Sequence, residues 1–496
     1  KPVPAHDTAT SIGRKWRRGS DREQKTRNRE QETRKKKKEP PRGGSFFFFA
    51  PRRISGYNNS HKYVRPDGEP SDFLGMPKTE NYLGIDIGSS SIRAVMAQAV
   101  SGEEMLRVLG AVVLPAEGMR RGTVTDAEVV ARTITKAIEH AERMSGVAPN
   151  LIGVGVSGSE IFCQRALGVI AVGRADGEVT EEDMERAMAE VEARVMLPAN
   201  REVLHVIPRN YRLDDQKDIK DPIGMRGVRL EAEAFVVGTS TGQTKGVSRI
   251  FEHVGISPDF YAVEPVAAAE GVLSEKEKEL GVVLVNIGGS MTSVIVFEEG
   301  ELVHLSVLPV GGSHITNDIA IGLRVSVETA ERVKVQYGSA LPREVGKKEE
   351  INLATIDSHE TDFVSRHHVS EIIEARLDEI FRLVNGELRT AGKEGLLPAG
   401  VVLTGGGALI PGAVDLAKES LRLPSHIGYP KQQGGILDQV DGPDFATALG
   451  IVLLARARAR FGGGFSESRA ERVIPEWAKQ AGKRTKEWLS RFLPMD

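Results

Sequence analysis

A single cysteine, Cys163, occurs in the 496 residues. Its scarcity excludes an intrachain disulfide and a cysteine-built zinc site, points to a reducing cytoplasm, and leaves Cys163 as a packing residue. Aromatic residues make up 5 % of the chain, with three tryptophans among them. No apolar run approaches the roughly 18 to 20 residues that cross a bilayer, and no apolar core follows the first basic residues as a secretory signal requires. A membrane-spanning or exported chain is therefore not expected. Also missing are G-x-x-x-x-G-K-[ST] and a G-x-G-x-x-G between strand and helix, which disfavours a P-loop enzyme and a dinucleotide oxidoreductase.

The formal charge of -3 conceals an asymmetry, because residues 1–75 carry about +10 and the remainder about -13. The basic run Arg34 to Lys38 and four phenylalanines from Phe46 lie in this first stretch without helical or strand period. Such a composition buries too little apolar surface to offset its ordering entropy, so a disordered tail is expected over residues 1–78, with no nucleic-acid partner. The sequence opens on Lys1, and Met76 immediately precedes the first ordered-looking stretch. Met76 is the expected physiological start, with the preceding residues an artefact of where the sequence begins.

From Tyr82 onward, β-rich apolar runs alternate with amphipathic stretches, the pattern of an α/β protein. Strands are expected at Leu83–Ile87, Ile92–Gln98, Arg107–Val113, Leu151–Val156, Val282–Asn286, Ser293–Phe297 and Val401–Leu403. Helices are expected at Asp126–Ser145, Glu181–Val195, Gly242–Val254, Pro265–Leu273, Val327–Tyr337, Val369–Arg389 and Ala413–Leu421. Paired strands recur around Gly88 and Gly288, so a duplicated domain is expected, each half opening with strand, glycine turn and strand.

Three turns carry the chemistry. In the first, Asp86 ends a buried strand, where a carboxylate needs a cation or donors. Gly88 then turns the backbone, Ser89, Ser90 and Ser91 offer hydroxyl and amide donors suited to phosphate, and Arg93 adds positive charge. The second turn repeats the spacing, with Asn286 two residues before Gly288, followed by Gly289, Ser290 and Thr292. Two such hairpins facing one another could clamp a phosphate chain. The third, Gly405, Gly406, Gly407 and Ala408, follows an apolar strand and leaves room for a flat ring or ribose.

In this order, the turns resemble the two phosphate motifs and the adenosine motif of the actin, sugar-kinase and heat-shock-chaperone superfamily. That resemblance implies an actin-like, ribonuclease H-like fold of two domains with duplicated mixed sheets around a nucleotide cleft, with ATP and Mg2+ as cofactors. It implies a water-positioning role for Glu264, at the head of Val263-Glu264-Pro265-Val266-Ala267, and a magnesium site at Asp86 and, through water, Asn286. Aspartate is common at the latter position in the superfamily; an amide cannot supply its charge, so slow hydrolysis is expected.

More narrowly, the chain resembles the FtsA family of bacterial cell-division proteins over about residues 80–494. His205-Val206-Ile207-Pro208 with Lys220 to Glu231 looks like that family's inserted 1C subdomain. Leu308 to Gly312, Ile315 to Ala320 and Ala330 to Lys334 look like its stretch after the second phosphate turn, which implies that Glu331 and Lys334 border adenine and ribose. The organisation so implied is a first domain over 79–165, the insert over 166–240, a return through 241–275, a second-domain core over 276–323 and 393–428 with an outer lobe over 324–392, and a return to the first domain over 429–461.

A linker is expected over 462–472, and an amphipathic helix over 473–494. At 100° per residue, Ile474, Trp477, Ala481, Trp488 and Phe492 fall within about 60°, while Lys479, Lys483, Lys486 and Arg491 point elsewhere. Aromatic face and basic flanks together read as an in-plane anchor for anionic lipid. The resemblance thus implies an ATP-binding, filament-forming protein on the cytoplasmic face of the membrane. It would tether the FtsZ ring there and recruit later division proteins, with weak ATPase activity or none. The alternatives are a pilus-assembly module similar to PilM, which lacks such an anchor, and a sugar kinase, for which no sugar-binding segment can be nominated.

Overall fold

The computed structural model describes residues 79–120, 122–435 and 440–461. The basic tail and the amphipathic segment at 473–494 lie outside the described residues.

Alternation of apolar residues on either side of a glycine turn makes a hairpin of β1 (Thr79–Ile87) and β2 (Ser91–Val100), closed by the Gly88 amide donating to the Ser91 carbonyl at 3.1 Å. Strand β3 (Arg107–Pro115) extends it, and a small hairpin, β4 (Met119–Arg120) with β5 (Thr123–Val124), leads into α1 (Ala127–Ser145). The Asp126 carboxylate accepts the amides of Glu128 and Val129, a cap worth about 1 kcal/mol, and Gly146 stops α1 in a left-handed conformation. Helix α1 then returns the chain to β6 (Leu151–Val156), parallel to β1.

The insert follows: β7 (Phe162–Ala171), α2 (Glu181–Arg194), β8 (Arg201–Leu213), β9 (Gln216–Ile219) and β10 (Arg229–Ser240). These strands form their own antiparallel sheet, ordered β7-β10-β8-β9. This sheet opens at Phe162, inside the stretch expected to belong to the first domain, because Phe162 already pairs with Gly238. The chain goes back through α3 (Thr241–Val254), β11 (Phe260–Val263), α4 (Glu264–Val272) and α5 (Glu275–Leu280).

The second half repeats the first. Its elements are β12 (Val282–Ile287), β13 (Thr292–Glu298), β14 (Glu301–Leu308), α6 (Gly312–Leu323), α7 (Val327–Tyr337), the short pair β15 (Glu350–Asn352) and β16 (Phe363–Ser365), α8 (Arg366–Thr390), β17 (Gly400–Thr404), α9 (Ala413–Leu421) and β18 (Ser425–Ile427). Strand β19 (Gly434–Gly435) and α10 (Ala446–Phe461) then rejoin the first half. One sheet runs β11-β6-β1-β2-β3-β19 and the other β14-β13-β12-β17-β18. In both, two antiparallel hairpins are followed by two parallel strands, so β12 and β17 occupy the places of β1 and β6. This is the duplicated actin-like architecture expected from the turns.

Between the sheets lie α4 and α10. Val266 and Ala269 of α4 share a core with Leu284 and Ile295 of the second sheet, while Leu449 and Val452 of α10 pack with Tyr82 and Val95 of the first. Burying each such leucine or valine contributes about 1.5–3 kcal/mol. The two helices meet backbone to backbone: a β-carbon on Gly450 would lie 1.8 Å from the Ala267 carbonyl oxygen.

Candidate functional site

The first and second turns come from equivalent hairpins and are closed alike, since the Gly288 amide donates to the Met291 carbonyl at 2.9 Å as Gly88 does to Ser91. They face each other across the gap between the halves. A β-carbon on Gly289 would stand 2.2 Å from the Ser90 hydroxyl oxygen. The third turn closes the same cavity, anchored where the Gly405 amide donates to the Pro443 carbonyl at 3.1 Å and the Thr404 hydroxyl donates to it at 2.8 Å. The cleft so formed encloses about 820 Å³, in the range of small-molecule sites.

Most of the nominated residues line this cavity: Asp86, Gly88, Ser89, Ser90, Ser91, Arg93, Glu264, Asn286, Gly288, Gly289, Glu331, Lys334, Gly405, Gly406 and Gly407. Ser290, Thr292 and Ala408 do not. Thr292 is fully buried and its hydroxyl donates to the Val310 carbonyl at 2.8 Å, while Ser290 and Ala408 are packed beneath their turns. Within the third turn, a β-carbon on Gly407 would strike Ile287 at 2.3 Å and one on Gly405 would strike Asn286 at 2.1 Å. Only Gly406, of the three, has nothing within 4 Å, so its missing side chain is the one that leaves room in the cleft.

The floor carries two buried carboxylates. Burial pushes the Asp86 carboxyl up to about 6, with Arg93 pulling it down and Asp444 adding to the rise. Burial likewise pushes Glu264 up to about 7; hydrogen bonds from Asn286 and Ser293 oppose this, and the charge of Asp86 reinforces it. The Asn286 amide nitrogen donates to the Glu264 carboxylate, and the Ser293 hydroxyl donates to the same oxygen at 3.2 Å. Asn286 therefore holds the acid in place through its amide nitrogen.

Arg93 departs from its expected part as a phosphate cation. Its guanidinium donates to Asp444 at 2.7 and 3.1 Å and to the Ser91 hydroxyl at 2.6 Å, which offsets its charge before any ligand arrives. Lys334 donates to Glu331 at 2.6 Å and to the Thr316 hydroxyl at 2.8 Å, joining α7 to α6 at the cleft wall. Asp444, Thr316 and Thr447 line the cavity without having been nominated. Thr316 sits within the Ile315 to Ala320 stretch; Asp444 is 351 positions from its partner Arg93, and nothing in local spacing joins them.

Burial holds both carboxylates above their ordinary range, and hard oxygen donors of this kind would fit a hydrated Mg2+ bound jointly with phosphate oxygens. Among the described residues no group of three or more histidine, cysteine or carboxylate side chains could hold a metal unaided. The arrangement suits a cation that keeps its waters.

A family model described as cell division protein FtsA matches residues 283–450, and one described as the SHS2 domain inserted in FtsA matches residues 158–238. The cell division protein FtsA of Pseudomonas aeruginosa is 35 % identical over 82 % of this chain and 97 % of its own length. Its counterpart from Bacillus subtilis is 36 % identical over 78 % of this chain and 86 % of its own. Among solved structures, the PilM-PilN type IV pilus biogenesis complex superposes with a TM-score of 0.55 at 18 % identity, covering 75 % of this chain and 97 % of that one.

Proposed function

The chain belongs to the FtsA family of cell-division proteins, and from that premise we propose that it is a nucleotide-gated adaptor that binds ATP with Mg2+, assembles into filaments, and holds the FtsZ ring at the cytoplasmic face of the membrane. The observation that carries the nucleotide part is the meeting of Ser90 and Gly289 above the buried pair Asp86 and Glu264, because phosphate donors from both halves converge over carboxylates in want of a cation. Ser89 to Ser91 and the backbone of Gly288 to Ser290 receive the phosphates, Lys334 and Glu331 border the ribose, and Gly406 admits the base. Asp86 holds the hydrated metal, which would supply the charge that neutralises the phosphates. Glu264, fixed by Asn286 and Ser293, orients water.

Hydrolysis in this design is slow, since Asn286 contributes no charge and Glu264 is partly protonated near neutrality. ATP acts as a clamp between the halves more than as fuel. The membrane part rests on the aromatic and basic pattern of Ile474, Trp477, Lys483, Lys486, Trp488, Arg491 and Phe492. Among the described residues no helix is long and apolar enough to cross a membrane. Many weak anchors on one filament bind with raised effective concentration, which couples assembly to attachment. The pilus-assembly alternative has fold alone behind it, at 18 % identity. Electron microscopy of the chain on lipid monolayers, with and without MgATP, tests the proposal: ATP-dependent filaments on lipid support it, and absence of both filaments and lipid binding refutes it.

A further inference from the structure

We propose that His205, on the inserted subdomain, is the positioning residue through which that subdomain sets Glu264 in the cleft; the proposal rests on the role given to Glu264 above. His205 lies on β8 opposite Val237 of β10 and is fully buried. Its Nε2 accepts the backbone amide of Val263 at 2.9 Å. A ring nitrogen that accepts has no proton, so the neutral ring carries its hydrogen on Nδ1.

Val263 is a sensitive place for such a bond. It ends β11, the outer strand of the first sheet, and is the cap residue of α4, a helix with no side-chain cap of its own. The next residue is Glu264. A ring from one sheet therefore fixes the Ala262–Val263 peptide, one residue before the cleft acid, while Asn286 and Ser293 of the second half hold the far end of the Glu264 side chain. Ile207, Phe235 and Val237 of the insert also share a core with Val266 and Ala269 of α4. A displacement of the insert, as when a partner binds it, is passed on by close packing to the start of α4 and so to the Glu264 carboxylate. The insert thereby tunes ATP conversion without touching nucleotide.

The test uses the full chain and four variants: His205→Phe, which keeps bulk and removes the acceptor; His205→Gln, whose amide oxygen restores one; Glu264→Gln; and the double variant His205→Phe/Glu264→Gln. MgATP affinity is measured by calorimetry, and conversion of bound ATP to ADP by single turnover with protein in excess. Expected are affinities within about threefold of the native chain, conversion about tenfold slower in His205→Phe, recovery to within about threefold in His205→Gln, and a double variant no slower than Glu264→Gln alone. If His205→Phe fails to fold by circular dichroism, His205→Asn, too short to reach the amide, takes its place with the same expectation. Native conversion in the acceptor-less variant, equal loss in the Phe and Gln variants, or losses that multiply in the double variant each overturn the proposal. A native chain that binds ATP but never converts it overturns the role of Glu264 and this inference while leaving the binding site intact; one that binds no ATP overturns the nucleotide reading as well.

Discussion

Ser90 and Gly289 stand so close across the cleft that a β-carbon on the glycine would lie 2.2 Å from the serine hydroxyl oxygen and 3.3 Å from its β-carbon. The hydroxyl can rotate away, whereas the carbon needs only a small adjustment. Gly289→Ala is therefore expected to fold with a melting temperature within about 3 °C of the native chain, but to misplace a phosphate donor and weaken MgATP binding about tenfold. Calorimetric titration checks this, and unchanged affinity would move the phosphates off this contact.

Gly406 and Gly407 separate ligand space from packing space. With nothing within 4 Å of its added β-carbon, Gly406→Phe is expected to leave stability unaltered while abolishing ATP binding. Gly407→Ala meets Ile287 at 2.3 Å and is expected to lose about 1–3 kcal/mol of stability. Thermal melts beside titrations distinguish the two; a destabilised Gly406→Phe would contradict the open geometry.

Asp86 and Glu264 impose a pH dependence whose sign follows from their shifts. Both carboxyls titrate higher in the folded chain, at about 6 and about 7, than their ordinary 3.8 and 4.5. Between those limits the folded state retains protons that the unfolded state releases, so their contribution is full below about pH 4 and is lost as pH rises through 7. Asp86→Asn and Glu264→Gln should each raise the melting temperature of the nucleotide-free chain at pH 8 relative to native, with the gap closing toward pH 5. A gap that widens on acidification would reverse the assignment. Saturating MgATP should shrink it at pH 8 as well.

The anchor prediction concerns Trp477 and Trp488. Replacing both with glutamate sets charge on the aromatic stripe and opposes anionic headgroups, and should release the chain from vesicles containing phosphatidylglycerol. Sedimentation with such vesicles that matches the native chain would refute the anchor.

Much of this architecture was legible because its signals are local. Leu151–Val156, Val327–Tyr337 and Ala413–Leu421 are legible at their observed limits, since turn and cap residues bound the apolar strand and both amphipathic helices. Strand β8 is hard to read from sequence because Pro208 and charged residues interrupt its alternation, and its pairing with β10 runs from Leu213 with Leu230 to Arg201 with Ser240, beyond the reach of local pattern. Helix α10 is hidden for the opposite reason: from Ala446 to Ala455 it is apolar on nearly every side, as befits a helix enclosed between sheets, and shows no amphipathic period there. In the site, the turns announced their glycines and hydroxyls. Sequence cannot reveal that Asp444, brought back to the first half by the last stretch of the chain, neutralises Arg93, or that Asn286 of the second half grips Glu264, because each pair joins stretches that meet only in the assembled fold.

The backbone contact between Gly450 and Ala267 makes α4 and α10 a fulcrum. Helices that touch through their main chains, here also at Gly271 and Ala446, have no side-chain cushion to compress, so any separation of the halves would have to turn about this seam. In such a rotation displacement would grow with distance from the seam: the carboxylates near the start of α4 would travel little, and the parts of each half farthest from it most. A small molecule seated beside the fulcrum thus works at the short end of a lever, and the surfaces available to neighbours ride on the long one.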